Sequence, residues 1–363
     1  MARKLAFDRV LFLAVVAMTL FGVLMVYSAS SIWALEHQGS SYFYLKRQVA
    51  WSLLGLGVMV LAMATDYRRY RSPWVVYPML GGSVLLLLAA LASPAVNGAH
   101  RWIWLGPFSF QPSEAAKLAV VLLLAYQLER RRDRLHDLAQ SFVPCLALVG
   151  PVMLLVLIQP DLGAAAMMAL LFAVLLFAAG IRVRFLLAIG CVAVVLLAAV
   201  IASEEYRMER VRVFMDPAAD PQGSGFQMHQ SLLAVANGGL TGRSLGEGRQ
   251  KLLYLPLPHT DFIFAVIGEE LGMIGCLAVV AGFLVVMWRG LRAALLLADP
   301  FGAYLAIGLT VFLVGQGMIN VGVVLGLLPT KGLALPFVSY GGSAMLGAGI
   351  SAGILLALSR ESG

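Results

Sequence analysis

Long apolar runs separated by short polar segments dominate this chain. Ten runs come close to the roughly 20 residues that a helix needs to cross a bilayer. They cover residues 9–29, 47–65, 75–93, 113–129, 141–158, 162–180, 184–202, 262–287, 301–327 and 338–358. The pattern predicts an all-α polytopic membrane protein with ten transmembrane helices, which we treat as a single transmembrane domain over residues 1–363.

The composition agrees with this class. Of the 363 residues, 61% are hydrophobic and 12% are charged, whereas soluble domains carry roughly 25% charged residues. The net charge of +7 reflects basic loops and argues against nucleic acid as a partner. The three cysteines lie in apolar runs without metal-site spacing, so we interpret them as packing residues.

Positive charge is distributed unevenly between alternate loops. If the N-terminus is inside, the inner segments carry Arg3, Lys4, Arg9, Arg68, Arg69, Arg71, Arg130, Arg131, Arg132, Arg134, Arg182, Arg184, Arg289, Arg292 and Arg360. The short outer loops carry only Lys46, Arg47, Arg101 and Lys331. The positive-inside rule predicts that both termini are cytoplasmic and that the long segment 203–261 is external.

Asp261 is the main candidate for chemistry. It follows His259 and Thr260 where the long outer segment meets an apolar helix, and a carboxylate at this depth calls for a functional explanation. If the helix starts at Asp261, Glu269 lies about 80° around and about 12 Å along it, with Glu270 opposite. Asp261 is therefore predicted to act alone, although Glu269 could share its cavity wall.

Four further outer-face groups precede Asp261 in the chain. Arg101, directly before Trp102, suits a phosphate, or else reaches to lipid headgroups. Glu114 and Lys117 share a helix face behind Pro112 and form either a structural pair or part of a site. Asp161 follows Pro160 as a helix N-cap that could also line a cavity.

Two later segments add cations. The segment 239–251 is Gly-rich and basic, so its backbone N–H groups and Arg243 could hold an anion; a flexible solvent loop is the alternative. The turn 328–344 contains Lys331 and several helix breakers, and broken backbone at membrane depth survives only where it is buried or lines a wet cavity. Within the predicted ninth span, Gln316 and Asn320 form a stripe that we interpret as helix packing.

The same interpretation applies to the glycine pairs 322/326 and 349/353, whose spacing permits close helix approach. No HExxH motif and no readable Ser-His-Asp order is present. One carboxylate among cations suits an anionic substrate with a hydroxyl to activate and a phosphate to release. A lipid-linked phosphate sugar at the outer leaflet would fit, and a transporter is the alternative.

Several long motifs resemble the SEDS family of bacterial peptidoglycan polymerases from end to end. They are YSASS (27–31), YFYLKRQ (42–48), NGAHRWIWLGPFSFQPSEAAKL (97–118), QPDLG (159–163), ANGGLTGRSLGEGRQK (236–251), LPLPHTDFIFAVIGEELG (255–272) and LPTKGLALPFVSYGGSA (328–344). Within them, IGEELG and TKG resemble the division member of the family more than the elongation member, which is the second choice.

The resemblance implies a glycosyltransferase that polymerises lipid II at the outer face of the cytoplasmic membrane. Asp261 matches the family's loop aspartate and would be the base that deprotonates the acceptor 4-hydroxyl. Attack on the lipid-linked chain would invert the anomeric carbon and release undecaprenyl pyrophosphate. Substrate-binding residues are expected to be Arg101, Glu114, Lys117, Asp161, Arg243 and Lys331. No metal ligand set is visible, although a divalent cation, Mg²⁺ or Mn²⁺, on the pyrophosphate is left open.

The resemblance also implies partners. A class B penicillin-binding protein would dock its single transmembrane helix on spans eight and nine, and its external part would touch residues 203–250. Other membrane proteins of the division machinery, and a location at the septum in the inner membrane, follow from the division role. A lipid II flippase and a non-catalytic division scaffold are the alternatives.

Overall fold

Most of the described helices occupy the predicted apolar runs. The computed structural model describes residues 7–95, 98–106, 108–135, 137–185, 187–188, 190–191, 202, 208, 214–215, 225–251, 257–329 and 332–361. Its helices are α1 (Arg9–Gln38), α2 (Phe43–Ala64), α3 (Pro73–Leu91), α4 (Pro112–Arg130), α5 (Leu138–Ile158), α6 (Leu162–Ala178), α7 (Phe226–Gly238), α8 (Ile263–Leu296), α9 (Pro300–Val324) and α10 (Gly342–Ser359). The chain is therefore a helical membrane protein.

Seven helices of the described part of the chain are long and apolar enough to cross a membrane: α1, α2, α3, α5, α8, α9 and α10. The apolar α6 is shorter, with 17 residues. The α4 helix carries Glu114, Lys117, Glu129 and Arg130. Most of the predicted seventh span, 184–202, lies outside the described residues.

Local signals explain where several helices begin. Side chains of Asp8, Asp137, Asp161 and Asp299 accept a hydrogen bond from a backbone N–H of the first turn of α1, α5, α6 and α9. Such caps satisfy donors that have no partner inside the helix. The N-cap prediction for Asp161 is thereby confirmed.

Several predicted boundaries were wrong by more than two residues. The first helix continues to Gln38, where Gly39 takes a left-handed conformation (φ 69°). The α8 helix runs to Leu296, past the predicted end at 287. The last helix starts at Gly342 rather than 338, because Ser339 accepts a hydrogen bond from the backbone N–H of Leu335 in a non-helical turn.

The most buried helices form the interior. In the most apolar 18-residue stretch of α9 and of α10, 72% and 78% of the residues are buried. The corresponding share in α2, α3, α5 and α8 is 28%. The α10 helix packs closely on α2, where a Cβ on Gly349 would lie 2.4 Å from the carbonyl oxygen of Gly55. The 349/353 glycine pair thus permits close approach as predicted. The 322/326 pair does not, because Gly326 lies beyond α9 with a φ of 70°.

A β-hairpin replaces the loop that we predicted before α4. Strands β1 (Ile103–Leu105) and β2 (Phe108–Phe110) pair antiparallel. Strands of three residues give too little alternation for a sequence pattern to reveal. The hairpin leads into Pro112, the first residue of α4, and the backbone N–H of Gln111 donates to Oγ of Ser343 at 2.9 Å. It therefore ties the start of α4 to the start of α10.

Candidate active site

Asp261 lies in a turn that precedes α8, two residues before the helix begins at Ile263. The helix begins one residue after the predicted start of this span at 262, so the geometry expected for a helix that starts at Asp261 does not apply. Within the turn, the backbone N–H of Thr260 donates to the carbonyl oxygen of Leu257 at 3.1 Å. Asp261 is half-buried, so it stands at the edge of the protein interior.

Three successive carbonyl groups of this turn are held from outside it. The carbonyl oxygen of His259 accepts from the backbone N–H of Tyr340 at 2.9 Å, and that of Thr260 accepts from Oγ of Ser339 at 2.7 Å. The carbonyl oxygen of Asp261 accepts from Nδ2 of Asn320 at 2.7 Å. The backbone that carries the carboxylate is therefore fixed against α9 and the segment before α10.

Aromatic rings enclose His259. Its ring centroid lies 4.2 Å from that of Tyr44, 5.5 Å from that of Tyr340 and 5.8 Å from that of Trp33. Burial lowers the pKa of His259 to about 4, since a charged imidazolium is unfavourable away from water. His259 is therefore neutral at physiological pH and anchors the turn to α1 and α2.

Asp161 and Arg101 form one wall of the site. One carboxylate oxygen of Asp161 accepts from the backbone N–H of Ala164, and the other accepts from Oγ of Ser113 and from Nε2 of Gln111, each at 3.1 Å. Arg101 donates to the carbonyl oxygens of Gln159 and Pro160. Both charged groups are thus fixed at the α5–α6 turn.

Burial and the charges of Asp161 and Arg101 determine the pKa of Asp261. Burial and the negative charge of Asp161 raise the pKa of Asp261 to about 6, and the positive charge of Arg101 lowers it. Burial makes the largest contribution, because it removes water from the charged form. The structure thereby brings together three predicted site residues within electrostatic range: Asp261, Asp161 and Arg101.

Glu114 and Lys117 form a buried pair behind this wall. Nζ of Lys117 lies 2.8 Å from Oε1 of Glu114 and 2.5 Å from Oε1 of Gln316. Gln316 in turn donates from Nε2 to the carbonyl oxygen of Ala334 at 3.0 Å. The pair therefore connects α4 through α9 to the broken segment that precedes α10.

That segment comes into contact with Asp261. A Cβ on Gly332 would lie 3.0 Å from Oδ2 of Asp261, so glycine leaves room for the carboxylate. The carbonyl oxygen of Leu333 accepts from Nδ2 of Asn320 at 2.7 Å. Lys331, predicted to bind substrate, lies outside the described residues.

Arg243 lies elsewhere, at a break in α8. Gly272 leaves helical geometry with φ 65° and ψ −160°, so residues 273 and 274 cannot bond to residues 269 and 270 as a continuous helix requires. Four backbone hydrogen bonds with the Gly-rich segment repair the break: Met273 N to Gly239 O, Ile274 N to Leu240 O, Arg243 N to Glu269 O, and Ser244 N to Glu270 O. The Gly-rich segment therefore supplies the backbone partners that α8 lacks at this break.

The anions that this segment binds are the chain's own carboxylates. The backbone N–H groups of Arg249 and Gln250 donate to Glu269. Oε1 of Glu270 accepts from Nζ of Lys251 at 2.5 Å, with both side chains buried. The guanidinium of Arg243 lies 3.9 Å from Glu269. The carboxylate of Glu269 is therefore bound by this segment, and it does not serve as a free partner of Asp261.

The sequence interpretation missed the roles of Gln316, Asn320, Ser339 and Tyr340. A polar pair at i, i+4 in an apolar helix was read as helix packing, although these side chains hold backbone carbonyl groups of the site. The signal available was the broken segment 328–344, whose buried carbonyl groups need donors.

Together these features define a polytopic membrane protein with a fixed, half-buried carboxylate beside a cation. Residues 8–363 match the FtsW/RodA/SpoVE family of cell cycle proteins, and the chain belongs to this family. The resemblance in the sequence motifs is thereby confirmed.

Named relatives cover nearly the whole chain. It is 46% identical to the probable peptidoglycan glycosyltransferase FtsW of Geobacter sulfurreducens, over 98% of this chain and 95% of that one. It is 39% identical to the stage V sporulation protein E of Bacillus subtilis, over 99% of each.

Solved structures share the fold over the same extent. One is a chain of a peptidoglycan synthase complex studied for its structural coordination of polymerization and crosslinking, with 32% identity and a TM-score of 0.81. Another is the rod shape determining protein RodA of Thermus thermophilus, with 30% identity and a TM-score of 0.72. Each comparison covers 98% of both chains.

Proposed function

We propose that this chain is a peptidoglycan glycosyltransferase that polymerises lipid II for cell-wall synthesis in cell division, with Asp261 as its general base. The relatives named FtsW support the reaction class. The observation that carries the role of Asp261 is its fixed backbone together with its raised pKa of about 6. A base is most effective when its pKa lies near the working pH.

The proposed step is a nucleophilic displacement at the anomeric carbon. Asp261 takes the proton of the acceptor 4-hydroxyl as the hydroxyl oxygen bonds to the anomeric carbon of the lipid-linked chain. The bond from that carbon to the pyrophosphate oxygen breaks, and undecaprenyl pyrophosphate leaves with the electron pair. Attack from the face opposite to the leaving group inverts the anomeric carbon.

Arg101 and Lys331 supply positive charge for the phosphate groups in this proposal, since donors aimed at developing charge lower the barrier. Asp161 acts through its charge on Asp261. Glu114 and Lys117, whose side chains are buried, are proposed to support the substrate site from the protein interior. Arg243, half-buried beside Glu269, is proposed as a further anion contact.

The described residues contain no group of three or more His, Cys, Asp or Glu side chains that could hold a metal ion. A divalent cation, Mg²⁺ or Mn²⁺, would therefore take most of its ligands from the pyrophosphate and water, as Mg²⁺ does with phosphate substrates. None of the steps above is assigned to it.

The proposed topology has ten spans in one domain, cytoplasmic termini and an external segment at 203–261. The charge asymmetry of the loops supports it. The proposed partner is a class B penicillin-binding protein that docks near α8 and α9, together with other division proteins at the septum of the inner membrane. The solved synthase complex, described as coordinating polymerization and crosslinking, supports a partnered enzyme.

The experiment is polymerisation of labelled lipid II by the purified chain with its transpeptidase partner, the transpeptidase being blocked. We expect a ladder of uncrosslinked glycan strands and release of undecaprenyl pyrophosphate. A preparation that moves lipid II between vesicle leaflets and forms no polymer would support the flippase alternative instead.

A further inference from the structure

One amide group ties together two parts of the site. Nδ2 of Asn320 donates both of its hydrogens, one to the carbonyl oxygen of Asp261 and one to that of Leu333, each at 2.7 Å. If the side-chain amide were flipped, Oδ1 would face two carbonyl oxygens, and no hydrogen bond could form. The contacts therefore identify Nδ2 as the donor. The side chain of Asn320 is almost fully buried.

Asn320 connects the turn that carries the carboxylate with the broken segment. The turn at 259–261 is bonded to Ser339 and Tyr340, which belong to the broken segment 328–344 together with Gly332. That segment is bonded to α9 through Asn320 and, one helical turn earlier, through Gln316. Asn320 is the α9 residue that bonds to both parts, within the residues that the structure describes.

A change at this contact would reach the carboxylate directly. A Cβ on Gly332 would lie 3.0 Å from Oδ2 of Asp261, so a shift of the neighbouring Leu333 changes the space around Oδ2. The remaining atom, Oδ1 of Asn320, is buried and has no hydrogen-bond partner in the described part of the chain. The contribution of the Asn320 side chain is therefore its two N–H donors, which an apolar residue of the same size would lack.

We propose that Asn320 is a positioning residue that fixes Asp261 for the transfer reaction. This inference rests on the proposed function. The hydrogen bonds hold the carboxylate in a half-buried place, where its basicity is matched to the reaction. Without them the turn moves away from α9, and the carboxylate gains water.

The test compares Asn320→Leu, which keeps the size and removes both donors, with Asn320→Asp, which replaces the donors by an acceptor. Both are made in the full chain with its partner, and only monodisperse, folded preparations are compared. Thr310→Val is the matched control, because Thr310 is buried in the same helix and, among the described residues, its hydroxyl bonds only to its own helix, at Ala306.

We expect kcat for lipid II polymerisation to fall about 10- to 100-fold in both Asn320 variants, with KM within about threefold of wild type. In Asn320→Leu the acid limb of the rate profile moves to lower pH, as the pKa of Asp261 returns towards its ordinary value. Thr310→Val leaves all three quantities unchanged. A purely structural role would reduce the folded fraction without moving the acid limb.

Two results overturn the inference. In the first, folded Asn320→Leu polymerises lipid II at the wild-type kcat with the same acid limb, while Asp261→Asn is inactive; the base assignment then stands, and positioning by Asn320 fails. In the second, Asp261→Asn retains the wild-type rate, so the base assignment fails and the role of Asn320 fails with it.

Discussion

The ammonium group of Lys117 lies 2.8 Å from the carboxylate of Glu114, and both side chains are buried. Removing one member leaves an uncompensated charge in the interior, which costs roughly 3–5 kcal/mol in buried pairs. We expect Lys117→Met to lower the stability of the purified protein by about that amount, as measured by thermal unfolding in detergent.

The double variant Lys117→Met/Glu114→Gln separates charge from packing. It removes both charges, so part of the lost stability returns. If the double variant is as unstable as the sum of the two single variants, the two groups do not interact as described here.

The acid limb of the activity profile follows from the pKa of Asp261. A base must be deprotonated, so kcat/KM falls about tenfold per pH unit below its pKa of about 6. Asp161 raises this pKa, and Asp161→Asn therefore moves the acid limb to lower pH. Rate profiles of wild type and variant from about pH 5 to pH 8 check this; coincident limbs would contradict the coupling.

The same pKa predicts a cost in stability. The folded state raises the pKa of Asp261 above its ordinary value of 3.8, so it favours the protonated acid. That stabilisation is complete below pH 3.8 and is lost as the pH rises through about 6. At neutral pH, Asp261→Asn should therefore be more stable than wild type by about 1–3 kcal/mol.

Melting temperatures of this pair across pH provide the measurement. The advantage of Asp261→Asn should shrink on acidification between pH 6 and 3.8. An advantage that is independent of pH would show that the carboxylate is not destabilised by burial.

Gly242 tests the repair of the break in α8. Its φ is 81°, and a Cβ there would lie 2.1 Å from the carbonyl oxygen of Glu270. Gly246 has a similar φ of 88°, but a Cβ there meets no atom within 4 Å. Gly242→Ala should lose roughly 1–3 kcal/mol more stability than Gly246→Ala, as measured by thermal unfolding. Equal losses would mean that only the backbone angle matters.

Features that depend on residues close together in the chain could be predicted well from the sequence. Apolar runs predicted nearly all of the described helices, and Asp161 was recognisable as a cap because its partner lies three residues away. The hairpin before α4 and the contacts of Asn320 depend on residues far apart in the chain. The break at Gly272 was missed for the same reason, because its stability comes from residues 239–244.

The candidate site shows the same division. Asp261, Asp161 and Arg101 were predicted and lie within electrostatic range of one another. The Gly-rich segment was predicted to hold an anion with its backbone, and it does, but Glu269 and Glu270 are the anions. Composition shows that a segment can bind a carboxylate or phosphate, and only the fold shows which one reaches it.

The most direct test of the central claim is the rate at which folded Asp261→Asn, purified with its transpeptidase partner, polymerises lipid II at neutral pH. The melting temperature of the same preparation shows that the protein is folded. We predict a rate at least about 100-fold below wild type, with a melting temperature equal to or above that of wild type. Polymerisation at the wild-type rate would contradict the assignment of Asp261 as the general base.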